Sequence, residues 1–330
     1  MSKLGEDVTE TLEVVPRQWK VIQTVRARFS CRQCETIPQP PAPFHVTPRG
    51  FAGPNLLAMI LFEKFGQHQP LNRQSERYAR EGVELSLSTL ADQVGACATI
   101  LRPLHALIEA HVLAAERLHG DGATVPILAK GKTDVGRIWV YVRDDKPFCG
   151  QAPPAALFYA SRTRAREHPE RRLASFEREI NGLSAERRQI IRQERSAPLA
   201  RALEDWMRTE RARLSRHADV AKAIDYTLTR WPAFTRFLDD GRICLTNNAA
   251  ERPLRGIALG RKSWLFAGSE RGAERAVVMY TLIQTAKMND VDPQAWLADV
   301  LARIAEIPQN RLADLLPWNW AQEQALKTAA

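Results

Sequence analysis

The chain has 330 residues, a formal net charge of +9 and 45% hydrophobic residues. This length allows a sizeable core and two or three domains. A protein with this much positive charge most often binds a polyanion, and the leading candidate is nucleic acid. The alternative is an enzyme that happens to be basic. No apolar run is long enough to span a bilayer, and the first residues lack the features of a signal peptide, so we expect a cytoplasmic protein without a membrane partner.

The first segment, residues 1–48, alternates apolar and polar residues over 11–30, which predicts strands. Cys31 and Cys34 follow in a CxxC pattern, ahead of a proline-rich linker. The five cysteines do not suggest a disulfide framework. A structural zinc site needs four ligands, and no second pair of ligands lies within reach. We therefore interpret Cys31 and Cys34 as two reduced thiols on a turn, at most half of a zinc site, and expect no Zn²⁺ binding by this chain alone.

Residues 49–117 are predicted to be helical. Apolar residues at helical spacing predict helices over 55–65, 71–81, 88–97 and 100–117. The second and third of these, joined by a turn containing Gly82, fit a helix-turn-helix; an ordinary helical hairpin is the alternative. In the first interpretation, arginines of the second helix contact DNA phosphates: Arg73, Arg77 and Arg80.

Residues 118–161 contain three strand-like runs separated by turn-rich pieces, which predict an antiparallel meander with Asp121 in its first strand. A helix is predicted to start within 167–176. Residues 177–230 are predicted to form a helical hairpin broken at 196–198, and its many charges are most simply a solvated helix face.

A carboxylate followed by many cations is the most informative feature of the chain. Residues 245–269 predict a helix with Asn248 as its N-cap and Glu251 three residues later. Five cations follow: Arg252, Arg255, Arg261, Lys262 and, further on, Arg271. Glu251 is then either an ion-pair partner or a metal ligand beside a phosphate backbone. An acid on a first strand with a glutamate on a late helix is typical of a two-metal phosphoryl-transfer site.

Several segments together resemble the transposases of the insertion sequence 66 family, which carry a DDE site on a ribonuclease-H-like fold. LHGDGATVPILAKGKT includes Asp121, and LTNNAAERPLRGIALGRKSWLFAGSERGAERA includes Glu251. PLNRQSERYAREGVELSLSTLADQVGA resembles the helical DNA-binding region, and WLADVLARIAEIPQNRLADLLPWNW resembles the C-terminal domain. The residues that end in CRQCE resemble the end of the family's zinc-binding segment.

The resemblance implies a mixed α/β fold in four parts. These are a zinc-ribbon remnant (1–48), a helical DNA-binding region (49–117), a ribonuclease-H-like core with a helical insert (118–290) and a helical C-terminal domain (291–330). It also implies that Asp121 and Glu251 hold catalytic Mg²⁺, used as two ions to cut and join DNA strands. The cations that would hold transposon-end DNA are Arg252, Arg255, Arg261 and Lys262. A homo-oligomer on DNA and element-encoded helper proteins are further implied partners.

The chain departs from the family pattern in two places. The second cysteine pair, upstream of Cys31, is absent, and so is the strand with the second catalytic aspartate that should follow Phe176. We expect an N-terminal truncation and an internal deletion, which leave the core incomplete and impair catalysis. The acids of the meander, Asp134, Asp144 and Asp145, are not expected to substitute. Two alternatives stay open: a non-catalytic DNA-binding protein or competitor derived from a transposase, and a helical interaction protein whose charge is incidental.

Overall fold

The computed structural model describes residues 18–30, 33, 34, 37, 39–46, 50–129, 132–161, 180, 182–264 and 267–329. The chain divides into two compact units, Met1–Phe44 and His45–Ala330. In the first unit, the strand prediction is wrong for residues 18–30, which form no strand. Val21, Ile22 and Val25 are exposed there. The alternating pattern finds no partner strand among the described residues, and a strand without partners is not stable in water.

The second unit contains a three-stranded antiparallel sheet. Its strands are β1 (His119–Ala129), β2 (Lys132–Arg143) and β3 (Ala155–Ser161), in the order β1-β2-β3. The register sets Asp121 opposite Val140, and Val140 opposite Phe158. The three predicted strands are confirmed, and the mixed α/β class with them. In the described ranges no fourth strand joins this sheet.

The predicted helices before the sheet are also confirmed, with ends shifted by a few residues. They are α1 (Pro54–Leu61), continued by a π-helical turn (Phe62–Gly66), α2 (Leu71–Arg80), α3 (Leu87–Ile100) and α4 (Arg102–Leu113). Ser86 caps α3, because its Oγ accepts a hydrogen bond from the Thr89 N–H at 3.1 Å.

The helices after the sheet depart from prediction at one point. They are α5 (Ala185–Ile191), a π-helical turn (Arg192–Ser196), α6 (Ala197–Arg213), α7 (Asp219–Thr229) and α8 (Trp231–Thr235). The break predicted at 196–198 is wrong. Pro198 lies in the first turn of α6, directly after the π-helical turn, and the helical backbone runs through both. The chain turns at 214–218 instead. The helix start predicted at 167–176 lies outside the described residues.

The last helices are α9 (Asn248–Trp264), α10 (Glu270–Met288), α11 (Pro293–Arg303) and α12 (Pro317–Ala329). Of these, α10 contributes many residues to the core. On α10, the Tyr280 ring lies 5.8 Å from the Phe158 ring and 5.7 Å from the Phe65 ring. This helix therefore joins the sheet to the N-terminal helices. None of the described helices combines the length and the apolar character that crossing a bilayer requires.

Side chains of α10 close the outer edge of β3. The Phe158 N–H donates to Thr281 Oγ1 at 3.0 Å, and the Ala156 N–H donates to Thr285 Oγ1 at 3.2 Å. The Thr285 hydroxyl donates in turn to the Ala156 carbonyl at 3.2 Å. Asn289 continues the row by donating to the carbonyl before β3 at 2.8 Å. The three side chains are four residues apart and share one helix face, and both threonines are fully buried.

Candidate active site

Asp121 lies at the outer edge of the sheet. It is the third residue of β1, and its Oδ1 accepts a hydrogen bond from the Gly122 N–H at 2.7 Å. Alternate residues of a strand direct their backbone groups to opposite edges. The Pro126 carbonyl and the Leu128 N–H bind Ala267 rather than β2. The backbone N–H and C=O groups of the even-numbered residues of β1 therefore point away from β2. The carboxylate of Asp121 binds one of these groups, the N–H of Gly122.

Glu251 is exposed in the first turn of α9. Its N–H donates to the carbonyl of Asn247 at 2.9 Å, and the helix begins at Asn248. The residue whose carbonyl accepts this first intrahelical bond is the N-cap. The cap is therefore Asn247, and the prediction of Asn248 is wrong by one residue. An acid in a first helical turn interacts favourably with the helix dipole.

Asn247 joins the two predicted acids. Its side-chain Nδ2 donates to the Gly120 carbonyl at 2.9 Å. Gly120 precedes Asp121, and Asn247 starts the helix that carries Glu251. One hydrogen bond between residues 127 positions apart thus brings both acids to the same corner of the molecule.

The rest of α9 runs along the outer edge of β1. Arg261 Nη1 donates to the Thr124 carbonyl at 2.8 Å and lies 3.3 Å from the Thr124 hydroxyl. Beyond the helix, the Ala267 N–H donates to the Pro126 carbonyl at 2.8 Å and the Leu128 N–H donates to the Ala267 carbonyl at 2.9 Å. The side chain of Arg261, predicted to hold DNA, is therefore half-buried and bound to β1.

The other predicted cations of α9 are exposed. Arg255 and Lys262 follow Glu251 by four and eleven residues and so share its helix face, with Arg252 beside them. Within the described part of the chain, no ion pair joins Glu251 to any of them. The described residues therefore give no support to the interpretation of Glu251 as an ion-pair partner. The exposed surface of α9 carries this one acid and the three cations Arg252, Arg255 and Lys262.

The arginines of α2 differ from one another. Arg77 forms an ion pair with Glu63, whose side chain is only 5% exposed, and the Tyr78 hydroxyl donates to the same carboxylate at 3.0 Å. Burial raises the pKa of Tyr78, and the Glu63 carboxylate adds to this, so the hydroxyl keeps the proton that it donates. Arg77 is thus part of the packing between α2 and the turn after α1. Arg73 and Arg80 are exposed.

The predicted metal ligands do not assemble further. Cys31 lies outside the described residues, and Cys34 is exposed. In the ranges that the structure describes, no three His, Cys, Asp or Glu side chains group as metal ligands. Asp144 follows the end of β2, four residues beyond the partner of Asp121, which is about 13 Å along a strand. Asp145 pairs with Arg143 at 3.4 Å, and Asp134 lies opposite Ile127, towards the other end of β1.

Family models match most of the chain. The model described as the transposase IS66 family matches residues 49–183 and 171–275, and the IS66 C-terminal element matches residues 281–318. The zinc-finger binding domain of transposase IS66 matches residues 1–35. No solved structure matches the chain.

Similar proteins occur in Sinorhizobium fredii (strain NBRC 101917 / NGR234). The uncharacterized protein y4hP is 51% identical over an alignment that covers 98% of this chain and 72% of the relative. The uncharacterized protein y4jD is 34% identical, with 100% of this chain and 78% of the relative covered. A third, y4qI, is 32% identical, with 96% and 72% covered.

These alignments are longer than the chain itself. The alignment to y4hP spans 400 positions and the chain has 330 residues, so at least 70 positions of the relative have no counterpart here. The alignment to y4jD, over 399 residues, shows the same excess. The family model also matches in two parts that overlap at residues 171–183. Both findings support the expected internal deletion, and the two parts of the family-model match meet after β3.

Proposed function

The chain belongs to the transposase IS66 family, and from this premise we propose that it is a DNA transposition protein of the DDE type that binds transposon-end DNA. The observation that carries the proposal is the hydrogen bond from Asn247 to Gly120. It holds the helix of Glu251 against the strand of Asp121, and exposed cations follow Glu251 on that helix. On this proposal, the three-stranded sheet is the first part of a ribonuclease-H-like core.

Two Mg²⁺ ions would supply the strand-cutting chemistry of an intact site. Each needs oxygen ligands, and a pair about 3.5–4 Å apart needs a carboxylate that bridges the ions as well as one on each side. Among the described residues, this corner offers Asp121 and Glu251, and one oxygen of Asp121 already accepts the Gly122 N–H. The described residues therefore do not fit a two-ion site. We propose that strand cutting and joining are impaired and that DNA binding is retained.

DNA binding is proposed for the exposed face of α9. Arg252, Arg255 and Lys262 are not used in ion pairs among the described residues, and a row of cations along a helix suits the regular spacing of backbone phosphates. Binding through phosphates releases counterions, so affinity should fall steeply as salt rises. Arg261 binds β1 and Arg77 binds Glu63, so we propose that these two arginines stabilise the fold and do not contact DNA directly. Arg73 and Arg80 are exposed and remain candidates for direct contact with DNA.

The test uses the full chain and labelled duplex from a transposon end. We expect salt-dependent binding that weakens by roughly tenfold or more when Arg252, Arg255 and Lys262 are replaced together by Gln. Replacing the exposed Arg216, in the turn between α6 and α7, by Gln is the control and should change little. With Mg²⁺ or Mn²⁺ we expect the wild-type chain to cut no faster than Asp121→Ala.

Two results would contradict the proposal in different ways. Metal-dependent cutting that Asp121→Ala abolishes would show that the site is active despite the missing acid. Absence of duplex binding at low salt would instead favour a helical interaction protein with incidental charge.

A further inference from the structure

A second basic feature is formed by elements other than β1 and α9. The end of α3, the start of α4 and the start of α10 enclose a cleft of about 300 Å³. Its polar lining consists of Thr99, Arg102, Arg271, Glu274 and Arg275. Arginines from two helix starts thus converge on one space.

The charges of this cleft are not balanced. Three guanidinium groups face one carboxylate, that of Glu274, and within the described residues none of the three arginines forms an ion pair. Other arginines of the chain are neutralised by acids. For example, Arg303 binds both Asp299 and Glu323. The cleft therefore has a surplus of positive charge that the protein itself does not use.

The backbone of α3 makes room for one of these cations. The guanidinium of Arg275 rests on Gly95, so closely that a Cβ added there would lie 2.6 Å from Cζ and 2.6 Å from Nη2. Thr99, one turn later, donates its hydroxyl to the Gly95 carbonyl at 3.0 Å. Arg275 is half-buried as a result, whereas Arg102 and Arg271 are exposed. The cleft is thus open to a chain-like ligand and has one cation fixed at its wall.

We propose that this arginine cleft binds a backbone phosphate of DNA, as a contact separate from the face of α9. A guanidinium group can donate two parallel hydrogen bonds to the oxygens of one phosphate, which a lysine ammonium group cannot do with the same geometry. The C-terminal carbonyls of α3 oppose an anion here, so the three guanidinium groups supply the attraction. Arg271 is four residues from Ala267, which pairs with β1, so the two contacts are carried by neighbouring parts of the chain. The inference rests on the proposed DNA binding.

The first experiment replaces Arg102, Arg271 and Arg275 singly by Gln in the full chain and measures binding to one duplex across a salt series. Each replacement should weaken binding by roughly five- to tenfold at fixed salt and lower the salt slope by about 1. Arg216→Gln, which removes the same charge elsewhere, is the matched control and should change neither value appreciably. Thermal unfolding checks that each variant is folded.

The second experiment leaves the charge unchanged. Gly95→Ala pushes the guanidinium of Arg275 away from α3 and should weaken duplex binding by roughly two- to fivefold. If the arginines acted only through the net charge of the protein, Gly95→Ala would leave duplex binding unchanged. If the wild-type chain binds and the arginine variants behave like Arg216→Gln, the cleft is not a DNA contact although the proposed function stands. If the wild-type chain binds no duplex even at low salt, the proposed function fails and this inference fails with it.

Discussion

The two outer edges of the sheet are closed by different means. Buried threonine hydroxyls of α10 cover the edge of β3, in the centre of the core. Half-buried polar side chains cover the edge of β1: the amide of Asn247, the guanidinium of Arg261 and the carboxylate of Asp121 itself. The β3 edge is therefore covered by buried side chains of the core, whereas half-buried side chains and the backbone of Ala267 cover the β1 edge.

This difference fits the proposed ancestry. If the proposed ancestry holds, a complete core has a further strand with the second aspartate beside this sheet, and the β1 edge that faces away from β2 is one place for it. Here α9 and Ala267 bind to that edge. Asp121 thus lies on the edge strand that half-buried polar groups cover, and the following predictions test whether the two edges differ as described.

Amide hydrogen exchange should show the largest contrast. The N–H groups of Ala156 and Phe158 are bound to buried hydroxyls, so we expect them to exchange only when the core opens. The Gly122 N–H is bound to a half-buried carboxylate at the other edge. Its exchange should be roughly a hundredfold faster or more. Equal rates, measured residue by residue, would mean that the two edges are equally stable.

Replacing Thr281 and Thr285 together by Val should destabilise the fold strongly. Valine keeps the volume but leaves the N–H groups of Ala156 and Phe158 buried without acceptors, at a cost of about 1–3 kcal/mol each in the free energy of unfolding. Urea unfolding measures the change. The double replacement by Ser retains both hydroxyls and is the control; if it costs as much as Val, the hydrogen bonds are not what stabilises this edge.

Replacing Asn247 by Ala should have a smaller effect. The variant loses the bond to Gly120 at the partly exposed edge, which we expect to lower the free energy of unfolding by about 0.5–1.5 kcal/mol. Asn248→Ala is the matched control, because Asn248 is exposed and follows the cap. If both variants lose the same free energy of unfolding, the bond from Asn247 to Gly120 has no special role and Asn248 is again a candidate for the N-cap.

Local pattern predicted much of the fold. Periodicity located α1 to α4 and all three strands, since amphipathic spacing reflects burial directly. It failed at residues 18–30, where the alternation has no partner strand among the described residues, and at Pro198, where a proline directly after a π-helical turn looks like a break. The sequence carried both signals, but their meaning depends on neighbours that are distant along the chain.

The candidate site was predictable in its residue types but not in its contacts. Asp121 and Glu251 could be named from the resemblance, yet the link through Asn247 and Gly120 joins residues 127 positions apart and leaves no local signal. The same holds for Arg77, which resembles a phosphate contact in sequence and binds Glu63 instead. Cations could be located from sequence; whether each is used inside the protein required the fold.

The closure of β3 by α10 also sets an order of events during synthesis. Phe158 and Thr281 are 123 residues apart, so the three strands leave the ribosome long before their covering helix exists. At about 5–20 residues per second, the delay is roughly 6–25 s. For that time the β3 edge exposes unpaired N–H and C=O groups that another nascent chain could pair with. Slow translation between β3 and α10 should therefore increase aggregation of this protein.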